Sequence, residues 1–249
     1  ADLGAKLGVD AFIVADIGVA DYIARNHPAI RLHLSVQAAA SSPEAIRYYV
    51  QEFGVKRVVL PRILTIPEIR EIKSEIPCEI ETFIFGNHGL MVEGRCSLTN
   101  YATGLSTNMD GVCSPAADVE YIRDDAGNIS TKLADFTIDR FAPTENAGYP
   151  TICKGRYTTP HRSDGYYAFE EPISLNLARL LPDLIKTGIN AFKIEGRQRS
   201  RAYVRDVVGS FRHAIDAIQS GDDPDLKNLV ALTEGQKETQ GAFQTKKWR

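Results

Sequence analysis

The sequence contains four cysteines in 249 residues, too few for the disulfide framework of a small secreted protein. It has no apolar run close to the roughly 20 residues that cross a bilayer, and no signal-peptide pattern at its N-terminus. The formal net charge of −3 gives no overall basic footprint for nucleic-acid binding. These absences predict a globular protein of the reducing cytoplasm, with no membrane span and no bound nucleic acid.

Peptidase motifs are absent as well. The sequence has no HExxH zinc motif, and no convincing Ser/His/Asp set can be assembled from it. Peptidase activity is therefore not expected.

Short apolar runs alternate with amphipathic stretches at the spacing of repeated βα units. The predicted strands are 11–15, 31–36, 57–60, 80–85 and 191–194, and the predicted helices between them are 17–26, 42–52 and 66–75. This alternation predicts a parallel α/β sheet, doubly wound or closed into a (β/α)8 TIM-barrel-like fold. Only five core strands are visible and an amphipathic pattern begins at Ala1, so we expect further N-terminal strands outside this chain.

Four segments follow from this pattern. Residues 1–87 form βα units of the barrel, and 88–172 form a large insertion, because about 105 residues separate two core strands. Residues 173–221 supply the final βα units, and 222–249 form a mostly irregular C-terminal tail. Within these segments we predict a hairpin around 124–128 and helices at 174–187 and 201–220.

Three cysteines lie in loop-like sequence of the insertion. Cys96 is followed after 17 positions by Cys113 and after a further 40 by Cys153. Glycines and positive charges surround each one, as suits a thiolate-bound iron–sulfur cluster. This context predicts a metal centre, with unrelated free thiols as the alternative. Cys78, at the start of a strand, is expected to be structural.

A cysteine nucleophile is the rival chemistry. It requires a histidine that holds the thiolate, and His88 and His161 are the candidates in this part of the sequence.

Polar residues end the predicted strands, where parallel folds gather ligands. Gln37, Arg62, Glu195 and Arg197 occupy such positions. We expect them to bind substrate, although Glu195 with Arg62 or Arg197 would also suit a buried ion pair. The candidate substrate residues further include two neighbours of the first loop cysteine, Glu93 and Arg95.

The chain resembles the collagenase-like peptidase family, whose members serve RNA hydroxylation and oxygen-independent ubiquinone biosynthesis. It is most similar to the UbiU-type branch of ubiquinone biosynthesis. The resemblance covers nearly the whole sequence and rests on six blocks: 35–38, 58–62, 93–96, 113–116, 145–157 and 193–200.

The resemblance implies a (β/α)8-type protein with a [4Fe–4S] cluster on four cysteines. It also implies a heterodimer with a UbiV-like paralogue that hydroxylates the aromatic ring of a ubiquinone precursor without O2, with prephenate as the oxygen source. Cys96, Cys113 and Cys153 match three cluster ligands, whereas Gly89 stands at the position of the fourth. His88 is then the nearest candidate for the fourth ligand. An RNA-modifying member, a peptidase and a non-catalytic partner scaffold are the alternatives.

Overall fold

The computed structural model describes residues 1–90, 94–107, 111–197, 199–233 and 237–245. Its main sheet has seven strands, of which the first four are neighbours in chain order and run parallel. These are β1 Ala11–Val14, β2 Arg31–Leu34, β3 Arg57–Val59 and β4 Glu79–Asn87. The strands are short and rich in branched apolar residues, as expected for a sheet buried by crossover helices.

Strand β4 is the hub of this sheet. It pairs with β3 along residues 79–81, and with the parallel strand β11 (Ala191–Ile194) along residues 81–85. Its last residues pair with the antiparallel strand β10 (Ser174–Asn176), which in turn pairs with β12 (Glu238–Thr239). The result is a mixed α/β fold with a parallel-strand sheet. All five predicted strands are present, but the described strands do not show the closure expected of a barrel.

The helices predicted at 17–26, 42–52, 66–75 and 201–220 are present with bounds that agree to within a residue. The bounds of the helices are α1 Asp2–Lys6, α2 Ile17–Asn26, α3 Pro43–Phe53, α4 Ile66–Glu75, α5 Ser97–Thr103, α6 Leu181–Lys186, α7 Arg201–Ser220 and α8 Lys227–Ala231. Helix α4 starts with a capping box in which Thr65 and Glu68 satisfy each other's backbone amides. Its Ile66, Ile69 and Ile72 are buried on one face, which fixes the helix against the sheet.

The insertion carries two small antiparallel sheets. Strands β5 Val119–Arg123, β6 Ile129–Leu133 and β7 Phe136–Phe141 form one, and β8 Arg156–Thr159 with β9 Arg162–Tyr167 forms the other. The predicted hairpin is confirmed: Asp124 accepts hydrogen bonds from the backbone amides of Ala126 and Asn128 in the turn.

One prediction near the C-terminus is wrong. The helix expected at 174–187 begins only at Leu181, because residues 174–176 are fully buried strand residues. The predicted tail contains the short elements α8 and β12, and its Phe243 lies in the core with no exposed surface. Among the described residues, no helix is both long and apolar enough to cross a membrane.

Candidate iron–sulfur and substrate site

The parallel strands β1, β2, β3, β4 and β11 end at one cavity of about 570 Å³. Parallel pairing brings the carboxyl ends of these strands to the same edge, and loops of the insertion complete the walls. The apolar part of the lining comes from Ile13, Val59, Phe83 and Ile194. The cavity therefore combines apolar walls with a few polar groups, as is typical of small-molecule sites.

Two ion pairs lie at the floor of the cavity. Arg62 Nη2 lies 2.7 Å from Glu195 Oε2, and its guanidinium stacks 3.8 Å from the centre of the Phe83 ring. Lys193 Nζ donates to Glu81 Oε1 at 2.9 Å. Arg62 and Glu195 were predicted as either substrate residues or an ion pair, and they are paired while still lining the cavity.

Sequence reasoning missed Lys193 and Glu81. Their signal was available, because a charged residue inside an apolar strand must face either a partner or a polar cavity. Glu81 meets that requirement twice, since it accepts from Lys193 and also pairs with Arg57 at 3.2 Å.

The other predicted substrate residues lie at the rim. Gln37 and Arg197 line the cavity, and so does Arg199. Arg95 is exposed and donates from Nη2 to the backbone carbonyl of Gln37 at 3.1 Å, so it joins the first cysteine loop to the end of β2. Glu93 lies outside the described residues.

The three loop cysteines line the same cavity, although they are up to 57 positions apart in the sequence. Cys96 precedes α5 and accepts a hydrogen bond from Thr99 Oγ1 at 3.5 Å. Cys113 follows Gly111, whose φ of 69° is left-handed and favours glycine. Cys153 lies in a single 3-10 turn at 152–154. Three independent loops thus deliver one thiol each.

Hydrogen bonds fasten these loops together. Tyr149 Oη donates to the carbonyl of Ser114 at 3.0 Å, which joins the Cys153 loop to the Cys113 loop. Tyr157 Oη donates to the carbonyl of Ile152 at 2.7 Å, and the buried Lys154 donates to the carbonyl of Ile173 at 2.9 Å. The positions of the thiols are therefore set by the fold of the insertion.

Burial, with smaller contributions from the neighbouring Cys113 and Cys96, raises the pKa of the Cys153 thiol to about 11. Burial likewise raises the pKa of Cys113, with Cys96 and Glu195 adding to the effect. A bound cation reverses this tendency, because a coordinating thiol is deprotonated outright. Grouped thiols that disfavour one another's ionisation are suited to holding positively charged metal.

This donor set fits a cluster better than one ion. No three His, Cys, Asp or Glu side chains within the described ranges are placed to ligate a single metal ion. Cys96, Cys113 and Cys153 share the lining of one cavity, and each lies close enough to another to affect its ionisation. Cysteine thiolates are the usual ligands of four-iron clusters, so the three thiols match such a cluster in donor chemistry.

His88 and Gly89 follow β4 but face different ways. Gly89 lines the cavity, whereas the His88 ring packs against the C-terminal segment, with Cε1 3.2 Å from where a Cβ on Gly241 would lie. The structure thus does not bring His88 to the thiols. His161, the other candidate for activating a thiol, is exposed in the turn between β8 and β9. Cys78 is buried just before β4, at the opposite end of that strand from the cavity.

The sequence matches the model of Peptidase family U32 over residues 2–247. The chain belongs to the U32 peptidase family. Its U32 relatives include the tRNA hydroxylation protein P of Escherichia coli K12, 32% identical over 243 residues, or 91% of this chain and 53% of the relative.

Other relatives carry different names. The 23S rRNA 5-hydroxycytidine C2501 synthase of Escherichia coli K12 is 29% identical, covering 86% of this chain and 27% of the relative. A collagenase of Porphyromonas gingivalis W83 is 26% identical over 88% of this chain and 47% of the relative. A solved U32 peptidase, Mk0906, aligns over 33% of each chain with 23% identity and a TM-score of 0.30.

Hydroxylation proteins of tRNA and rRNA thus occur among the relatives of this chain. The chain spans about half the length of the tRNA hydroxylation proteins that it matches, between 43% and 53% of each in three bacteria.

Proposed function

We propose that this chain is part of an iron–sulfur protein that hydroxylates an aromatic ring without O2. The observation that carries the proposal is the convergence of Cys96, Cys113 and Cys153, from three separate loops, on one cavity at the ends of the parallel strands. The names of the tRNA and rRNA relatives support hydroxylation as the reaction class.

The three cysteines would hold a [4Fe–4S] cluster, which supplies electron transfer or Lewis-acid chemistry when bound. The residues of the chain bind and orient the substrate. Arg62 covers one face of the Phe83 ring, and its flat guanidinium offers a surface on which an aromatic ring can stack. Lys193 is held by Glu81 and keeps donors for an oxygen of the substrate, since an ammonium has three.

For the substrate, we propose the aromatic ring of a ubiquinone precursor, with a UbiV-like paralogue as the partner and prephenate as oxygen source. The UbiU-like blocks in the sequence support this choice, and so do the acidic net charge and the apolar walls of the cavity. In this proposal the protein works in the cytoplasm.

A base of RNA is the second candidate substrate. The names of the tRNA and rRNA hydroxylation relatives favour it, as does the basic rim made by Arg95, Arg197 and Arg199 at the mouth of the cavity. Such a rim would contact phosphates, and binding would weaken steeply with salt.

Deletion of the gene from its own organism, followed by growth without O2, tests the proposal. Ubiquinone and hydroxylated nucleosides are measured by mass spectrometry from the same culture. We expect loss of ubiquinone, restored by the wild-type gene but not by a Cys113→Ala gene. Loss of a hydroxylated nucleoside instead would assign the RNA substrate. Neither loss, or full rescue by Cys113→Ala, would reject the proposal.

A further inference from the structure

The chain has one cysteine too few at the cavity for a cluster held by four thiolates. Only four cysteines occur in the whole sequence, and the fourth, Cys78, precedes β4. Cys78 lies nine residues before Asn87, the end of β4 beside Gly89. At the rise of a strand, this separation is roughly 30 Å. Cys78 therefore cannot reach a cluster held by Cys96, Cys113 and Cys153.

Gly89 marks where a further side chain would enter the cavity. It lies in the cavity wall next to Asn87, which also lines the cavity, while His88 between them faces Gly241. Gly89 does not have the left-handed backbone that disfavours side chains. Of the residues that the structure describes, a Cβ built on it would come within 4 Å only of Asn87, whose Nδ2 would lie at an ordinary contact distance of 3.9 Å. The position thus accepts a side chain without strain, and glycine leaves it open.

This inference rests on the proposed cluster. We propose that Gly89 leaves one iron without a thiolate from this chain, and that this iron takes an oxygen ligand from solvent in the cavity. The charges around the cavity favour an anionic oxygen. Arg197 and Arg199 are cations of the lining, whereas Glu195 is paired with Arg62 and Lys193 with Glu81. Hydroxide from solvent is the ligand that this environment stabilises, and it is a hard donor that suits an iron lacking thiolate.

Gly89→Cys, with Gly89→Ala as its matched control, tests the proposal in the full-length protein reconstituted without O2. In mild oxidation, ferricyanide accepts one electron from the cluster. An iron without a thiolate ligand then leaves as Fe²⁺, and the remaining three-iron cluster has its own electron paramagnetic resonance signal. We expect wild type and Gly89→Ala to fall from about four irons per chain to about three, and Gly89→Cys to keep all of them.

Water enriched in ¹⁷O provides a second readout that needs no variant. The resonance signal of the reduced wild-type cluster should broaden in this water, because an oxygen from solvent is bound directly to iron. A wild-type cluster that keeps every iron on oxidation, or a signal that does not broaden, would overturn the inference. Gly89→Cys losing iron like wild type would also count against it. If wild type binds no iron at all, the proposed function itself fails.

Discussion

Arg156 ties the Cys153 loop to the inserted three-stranded sheet. Its Nε lies 2.6 Å from Asp139 Oδ1 on β7, and its Nη1 lies 3.2 Å from Glu145 Oε1. The Asp139 side chain is only 3% exposed, and burial raises its pKa even though Arg156 opposes the shift. A carboxylate so placed is stable only while its partner is present.

Replacing Arg156 with alanine should therefore destabilise the insertion. We expect the free energy of unfolding to fall by about 3 kcal/mol, the low end for a broken buried pair because Arg156 is partly exposed. Urea unfolding followed by circular dichroism measures this. Adding Asp139→Asn to the same variant should recover part of the loss, since no unpaired charge is then buried. A single variant as stable as wild type would show that the pair contributes nothing.

The half-buried Tyr157 should make the free energy of unfolding fall as the pH becomes alkaline. Burial, reinforced by Cys153 and Asp139, raises its pKa from the ordinary value of 10.0 to about 12. Because the folded pKa lies above the unfolded one, the stabilisation is complete below pH 10 and is lost as pH rises through 12. Tyr157→Phe should unfold more easily at neutral pH by about 1 kcal/mol and lose stability less steeply above pH 10. Equal alkaline slopes for both proteins in urea titrations would contradict this.

Residue positions at strand ends were predictable because parallel strands end at one edge. Gln37, Arg62, Glu195 and Arg197 reach the cavity for that reason. His88 was not predictable in the same way. Strand β4 continues to Asn87, two residues beyond the predicted end, so strand alternation turns Asn87 and Gly89 towards the cavity and His88 away.

At the scale of elements, prediction worked where one pattern dominated. The bounds of α2, α4, α7 and β11 agree with the sequence, because caps and periodicity point to the same ends. The segment 174–187 failed because Leu175, Leu177, Leu180 and Leu181 fit both a strand and a helix period. Pairing of β10 with β4 and β12, a long-range contact, decides in favour of the strand.

The C-terminal segment is part of the core, and its removal should be costly. Phe243 is fully buried, so Phe243→Ala should lower the free energy of unfolding by about 3–5 kcal/mol. Phe136→Ala is the matched control, since that side chain is 42% exposed and should lose well under half as much. Thermal or urea unfolding of the two variants measures the difference. Equal losses would mean that the segment does not pack as described.

At the scale of the whole molecule, the ends of the parallel strands and the loops of the insertion line one cavity. The α/β class and the place of the insertion follow from the sequence, because alternating periods and a long gap between strands are local signals. The convergence of the cysteines does not, since tertiary contacts such as that of Tyr149 with Ser114 position their loops. Sequence context grouped the cysteines, but only the fold brings them to the same cavity as Arg62 and Glu195.

The central claim is that Cys96, Cys113 and Cys153 hold an iron–sulfur cluster, and the iron and sulfide content of the anaerobically reconstituted protein tests it most directly. We predict that wild type and Cys78→Ala bind equal iron and sulfide and absorb broadly in the visible range. Each of the variants Cys96→Ala, Cys113→Ala and Cys153→Ala should lose most of both. A colourless, iron-free wild type, or variants that retain the full complement, would contradict the claim.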